Sequence, residues 1–182
     1  MIEALIVIDV QNDFCPGGSL AVSCGDEIID PINALIDEAS LVVLSQDWHP
    51  LDHTSFAQNH DNKTPFMEIE MPYGPQTLWP NHCVQGTAGA EFHKRLNVDR
   101  ADAIIRKGMN PSIDSYSTFF ENDRKTPTGL LGFLRERDVK SLLLVGLATD
   151  FCVAFSALDA VENGFDVKIR MDACRGIDNA GS

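Results

Sequence analysis

Three residues able to run an acyl transfer lie far apart in this chain: Asp9, Lys107 and Cys152. A cysteine nucleophile needs a base to take its proton, and a carboxylate within hydrogen-bond reach can serve. A neighbouring ammonium keeps that carboxylate ionised and favours thiolate over thiol. Cys152 is expected in the first turn of a helix, where unpaired N–H groups and a partial positive charge act in the same direction. Its own N–H, with another from the turn before it, is placed to receive an oxyanion. A second group suggests different chemistry. Asp47-x-His49 is a metal-ligand pair at short spacing, and His53 and His82 are further imidazoles in the same stretch. Carboxylate and imidazole donors suit zinc, iron or manganese. Taken singly, each residue has a plainer role: Cys152 as a buried core cysteine, Asp9 as a cap, Asp47 as a turn residue, Lys107 as a solvated charge. His60 and His93 are expected at the surface, and Cys83 is expected to pack. Aromatics accompany these groups at Phe14, Trp48, Trp79, Tyr116 and Phe151. Phe14 and Trp79 stand in glycine- and proline-rich loops near Asp9 and His82, where they could wall a flat aromatic substrate.

The elements that must position these residues follow from apolar runs. Residues 4–10 (ALIVIDV), 41–45, 103–106, 142–146 and 165–171 read as strands. The run LLLVG at 142–146 has the unbroken apolar character of a strand buried on both faces. Helices are expected where Ile28, Ile32, Leu35, Ile36 and Ala39 share a face behind an Asp26 cap, and after Thr126-Pro127, with Leu130, Leu131 and Leu134. Another is expected after Cys152, with Ala154, Ala157, Leu158 and Val161 inward and Gly164 as its stop. Strand and helix alternate, which predicts an α/β fold with an open, mostly parallel, doubly wound sheet. In such sheets sites form beyond the carboxyl ends of the strands. Asp9, Asp47 with His49, Lys107 and Cys152 each follow a different strand, so one edge of the sheet collects them all. Residues 46–102 show little periodicity yet hold all five histidines and both tryptophans. Disordered segments rarely have that composition, so something is expected to tie this stretch down.

The chain of 182 residues is expected to form a single domain over 1–182. A net charge of −13 disfavours nucleic acid and anionic membrane as partners. No apolar run has the length of a membrane span, and the N-terminus lacks the pattern of a secretory signal. Five cysteines, an odd number, argue against a disulfide framework and for a cytoplasmic protein.

Five segments together resemble one family: IVIDVQNDFCPGGSLAV at 6–22, DWHPLDHTSF at 47–56, LWPNHCVQGTAGAEFH at 78–93, KGMNPSIDSYSTF at 107–119 and GLATDFCV at 146–153. They are similar to nicotinamidases (pyrazinamidases) among the isochorismatase-like cysteine hydrolases, in matching order over nearly the whole chain. The resemblance implies deamidation of nicotinamide to nicotinate and ammonia. It implies Asp9, Lys107 and Cys152 as the catalytic triad and the Ala148 and Cys152 amides as the oxyanion hole. It implies Asp47, His49 and His82 as ligands of one divalent metal ion, zinc first and iron or manganese next. His53 matches a position that is a fourth ligand in some members. Phe14 and Trp79 match the residues flanking the pyridine ring, and Tyr116 and Phe151 fall at pocket-lining positions. The peptide before Ala148 is cis in relatives. The implied partner is a small-molecule substrate, with room for a homo-oligomer. Relatives continue past DACRGID into a further helix and strand, whereas this sequence ends at Ser182. The sheet is therefore expected to lack its last helix and edge strand.

Three rival readings stay open on the sequence. One is a related amidase acting on ureido or carbamoyl compounds, or isochorismatase itself. Those relatives generally lack the Asp47, His49 and His82 set. A second is a non-catalytic binding protein on the same fold, which should have lost Asp9, Lys107 or Cys152. A third is a metallohydrolase in which metal-activated water attacks and Cys152 is dispensable.

Overall fold

The computed structural model describes residues 2–177. Its main sheet has five strands: β1 (Ile2–Ile8), β2 (Val42–Asp47), β5 (Ala103–Lys107), β6 (Val139–Leu147) and β7 (Asp166–Arg175). They stand in the order β5-β2-β1-β6-β7. Every pairing is parallel, as the alternation of strand and helix predicts. The pleat sends alternate residues to opposite faces. Leu5 and Val7 of β1 pack with helix α1 (Ile29–Glu38), while Ala4, Ile6 and Ile8 pack with α2 (Leu130–Arg135) and α3 (Ala154–Glu162). The centre of the sheet is thus covered on both sides, and that is why residues 4–8 of β1 and 42–44 of β2 are continuously apolar.

The two layers meet at the segment that follows β6. Leu147 and Ala148 belong to the layer built on α1, and Cys152 and Val153 belong to the layer built on α2 and α3. Gly146 makes the crossing feasible. Its φ is +119°, and a Cβ there would lie 2.1 Å from the Ile8 carbonyl oxygen, so only glycine lets β6 run this close to β1.

Residues 46–102 are tied down in three ways. Phe56 and Leu78 are fully buried, isolated bridges join His49 to Val84 and Phe56 to Trp79, and a hairpin forms. That hairpin, β3 (Glu68–Met71) with β4 (Gly74–Thr77), has no signature in an apolar-period reading. Its residues EIEM and GPQT are mostly polar, and Pro75 argues against a strand.

Several boundaries correct the sequence expectations. β1 ends at Ile8, and Asp9 stands just beyond it in the left-handed region with φ +51°. Asp26 does not cap α1, which begins behind Ile28 with no side-chain cap bond. Pro31 lies in its first turn, where a missing N–H costs nothing. Thr126-Pro127 does not open α2, because Pro127 bridges to Phe120 and the helix starts after Gly129 at φ +104°. The apolar face expected of α3 turns inward only in part, at Ala157. Leu158 and Val161 are exposed, while Ser156 and Asp159 face inward. The inward polar groups are satisfied: Ser156 Oγ accepts the Thr118 N–H at 2.9 Å, and Asp159 pairs with Arg124 at 2.9 Å. β7 runs on to Arg175 after a register shift opposite β6 between Leu144 and Gly146. The expected loss of a further helix and strand concerns positions after Ile177, outside the described residues. No helix among the described residues is long and apolar enough to cross a membrane.

Candidate active site

The left-handed turn at Asp9 aims its carboxylate along the sheet edge rather than onward along the strand. Asp9 is fully buried. Its Oδ1 accepts the Ser45 hydroxyl at 2.6 Å, and its Oδ2 lies 2.9 Å from Lys107 Nζ. Lys107 closes β5 directly beside Asp47, which closes β2 in register with it. The buried ammonium pairs with Asp47 Oδ1, donates to the Ser115 carbonyl at 2.9 Å and stands 3.5 Å from Cys152 Sγ. Asp9, Lys107 and Cys152, separated widely in sequence, therefore meet at one ammonium.

Burial and charge compete at each of these groups. For Lys107, burial pulls the pKa down, but Asp47 and Asp9 outweigh it and hold the ammonium well above its ordinary value. For Asp47, burial pushes up, and Lys107 with His49 outweighs it, holding the carboxyl well below the usual range. For Asp9, burial wins over the attraction of Lys107, and its carboxyl is raised. Burial likewise pushes the Cys152 thiol well up against Lys107, and a hydrogen bond to Asp9 adds to the rise. At Cys152 burial thus works against Lys107, which by itself favours the charged sulfur.

Cys152 sits in a single π-helical turn, Thr149–Val153, that leads into α3. Such turns recur at functional sites. The Leu147–Ala148 peptide is cis, as the resemblance implies. The Ala148 carbonyl is occupied by the N–H groups of Phe151 and Val153, at 3.2 and 3.1 Å. Cys152 lies in the opening turn, where N–H groups have no intrahelical acceptor.

Asp47, His49 and His82 form a buried group whose ligand atoms lie within 4.8 Å of one another. Each imidazole is oriented from behind. His49 Nδ1 donates to the Gly108 carbonyl at 2.9 Å, and His82 Nδ1 to the Pro80 carbonyl at 2.8 Å. Both Nε2 atoms then face Asp47 Oδ2, at 3.3 and 3.6 Å. His49 Nε2 is buried with no hydrogen-bond partner. An orphaned, oriented imidazole nitrogen beside a carboxylate is what a cation site requires, so these residues fit a metal. Burial pulls His49 down while Asp47 outweighs it and raises its pKa, so a cation here competes with a proton. His53 is grouped with His49 and Asp114 rather than with Asp47 and His82. Its Nδ1 meets Ser55 Oγ at 2.7 Å and its Nε2 meets the Ile113 carbonyl at 3.2 Å. Burial and the neighbouring His49 push its pKa down to about 4. His60 and His93, expected at the surface, are half-buried, and Cys83 packs in the core.

A narrow pocket opens over Cys152. Phe14, Trp79, Tyr116, Phe151 and Ala148 line it, with His82 and Asp47 at one end. Trp79 meets Phe151 edge to face at 4.9 Å, Tyr116 meets Phe151 at 5.5 Å, and Phe14 meets His82 at 5.5 Å. Leu20, Asp114, Ser115 and Ile177 complete the wall and are not singled out by the sequence reading. Two supports also escape it. Gln11 bonds both the N–H and the carbonyl of Asp47 at 2.8 Å, replacing the ladder partner lost where β1 stops. Ser45 holds Asp9. The signal for Ser45 is visible in retrospect: it follows the apolar run 42–44 inside a strand that is buried throughout, and a buried polar residue must be bonded.

The isochorismatase domain model matches residues 3–182. The nicotinamidase of Acinetobacter baylyi is 55% identical over 98% of this chain and 84% of its own. A nicotinamidase–pyrazinamidase structure from Acinetobacter baumanii superposes with a TM-score of 0.96 at 56% identity, covering 98% of this chain and 86% of that one. The pyrazinamidase of Pyrococcus horikoshii in complex with zinc superposes with a TM-score of 0.80 at 40% identity, covering 99% and 89%.

Proposed function

The chain belongs to the isochorismatase family and is a nicotinamidase, and from that premise we propose that it hydrolyses nicotinamide, and pyrazinamide with it, through a thioester on Cys152. One observation carries the reading: a single buried ammonium, Lys107 Nζ, stands 2.9 Å from Asp9 Oδ2 and 3.5 Å from Cys152 Sγ under the aromatic pocket. Asp9 takes the Sγ proton as the sulfur attacks the amide carbon. The Ala148 and Cys152 N–H groups receive the oxyanion. Asp9 returns the proton to the departing nitrogen, the C–N bond breaks and ammonia leaves. Asp9 then takes a proton from water, whose oxygen attacks the thioester. The C–S bond breaks, nicotinate departs and the thiol is restored. Lys107 keeps the carboxylate oriented through the cycle and offsets the charge that builds beside it. Phe14 and Trp79 flank the ring, and Tyr116 and Phe151 close the pocket. Asp47 Oδ2, His49 Nε2 and His82 Nε2 would hold one divalent cation, zinc first and iron or manganese next, as a template orienting the pyridine ring. Five free thiols suit a reducing compartment, so the reading places the enzyme in the cytoplasm.

The test is ammonia release from nicotinamide by metal-loaded protein, with Cys152→Ala beside the wild type. The expected result is loss of at least about 10³-fold in the variant while nicotinate still binds. Turnover that survives in Cys152→Ala and vanishes on chelation would instead establish water activated by metal. Turnover of a ureido compound with none of nicotinamide would assign the chain to another amidase.

A further inference from the structure

Gln76 is the buried residue of a hairpin that otherwise faces solvent, and it has no exposure at all. A carboxamide there is costly unless its bonds are made. They are made to the walls of the ring pocket. Nε2 lies 2.7 Å from Asp114 Oδ2, 3.0 Å from Tyr116 Oη and 2.7 Å from the Thr77 carbonyl. Oε1 accepts from Tyr73 Oη at 3.1 Å and from Asn122 Nδ2 at 3.3 Å. Tyr116 Oη in turn accepts the Trp79 indole N–H at 3.3 Å. The backbone of Tyr116 is held from the same hub, because its N–H donates to Asn122 Oδ1 at 3.0 Å. Asp114 Oδ1 accepts the Ser115 N–H at 2.8 Å, and the Ser115 carbonyl is the one that Lys107 Nζ grips. One side chain thus joins the hairpin to both aromatic walls and, two bonds further, to the catalytic ammonium.

We propose that Gln76 is the positioning residue of the ring pocket: its carboxamide sets the spacing of Tyr116 and Trp79 and so governs how tightly the ring is held, without touching it. The inference rests on the nicotinamidase reading for its substrate, but its geometry does not. Gln76 bonds Tyr116 directly but reaches Lys107 through Asp114 and Ser115, so its loss should act on ring binding before it acts on chemistry. Tyr116 and Trp79 are linked through one hydroxyl, so removing Gln76 and removing that hydroxyl should not have independent effects.

The experiment compares wild type, Gln76→Met, Tyr116→Phe and the double variant in ammonia release from nicotinamide. Methionine keeps length and apolar volume and removes every polar bond. The expected result for Gln76→Met is a KM raised at least about tenfold with kcat within about threefold. The double variant should be no worse than the worse single one. In a Trp48→Phe background, Gln76→Met should also shift the emission of Trp79, while iodoacetamide alkylates Cys152 at the wild-type rate. An unchanged KM, a fall in kcat alone, or effects of the two substitutions that multiply would overturn the proposal. If Gln76→Met does not fold, the half-buried Asn122→Ala removes one of the two donors to Oε1 and the bond to the Tyr116 N–H. An unchanged KM in that variant overturns the proposal equally. If the wild type releases no ammonia, the substrate reading fails. Trp79 emission then decides the role of Gln76 by itself, an unmoved spectrum overturning it.

Discussion

An ammonium with no exposure to water stays charged only where carboxylates surround it. Lys107 has two, from two neighbouring strand ends: Asp9, which belongs with it to the proposed triad, and Asp47, which belongs to the candidate metal group. Lys107→Met would leave Asp9 and Asp47 buried and uncompensated. The expected cost is about 3–5 kcal/mol of stability together with loss of turnover. Urea unfolding measures the first and ammonia release the second, and an unchanged midpoint would show that the pairing does not hold the site together. This residue, with Asp9 and Cys152, is legible in the sequence because each interrupts or ends an apolar run, where a polar group needs a reason. Gln11 and Gln76 are not legible in that way. Their partners lie 36 and 38 positions off, and no local pattern encodes such bonds.

At the scale of the element, the strand ends do the positioning, and glycine decides how closely they approach. Gly108 follows β5 at φ +66°, and a Cβ there would lie 2.3 Å from His49 Cε1. Its carbonyl is also what orients that ring. Gly108→Ala should therefore push His49 off its partner and weaken zinc binding by about 10–100-fold while the fold survives. Titration with zinc checks this, and an unchanged affinity would refute the role given to the Gly108 carbonyl. The parallel sheet is readable because strands buried on both faces are continuously apolar. The hairpin is not, because its strands lie on the surface and are stabilised by what they reach rather than by what they contain. The face of α3 misleads for a related reason. Its apolar stripe is real, but Thr118 and Arg124 supply partners that draw Ser156 and Asp159 inward instead.

For the whole molecule, an excess of acid over base leaves a carboxylate little relief when burial strips its water. Burial, then the nearby Asp123, pushes Glu121 up to about 7 from its ordinary 4.5. An acid whose pKa is higher in the folded state binds its proton more tightly there than in the unfolded chain. Stability therefore falls as pH climbs from about 4.5 through about 7. Glu121→Gln lacks that loss. Its melting temperature should match wild type near pH 4 and exceed it by a few degrees at pH 8, the side chain being partly solvated. Parallel melting profiles across that range would contradict the assignment.

The crossing between the two core layers gives the reaction an unusual dependence. The side chain of Ala148, whose amide we propose for the oxyanion, packs in the layer built on α1. The side chain of Cys152, the proposed nucleophile, packs in the layer built on α2 and α3. One short segment thus ties both cores to the pocket that Ala148 and Cys152 line, so a substitution that loosens either layer should be felt there.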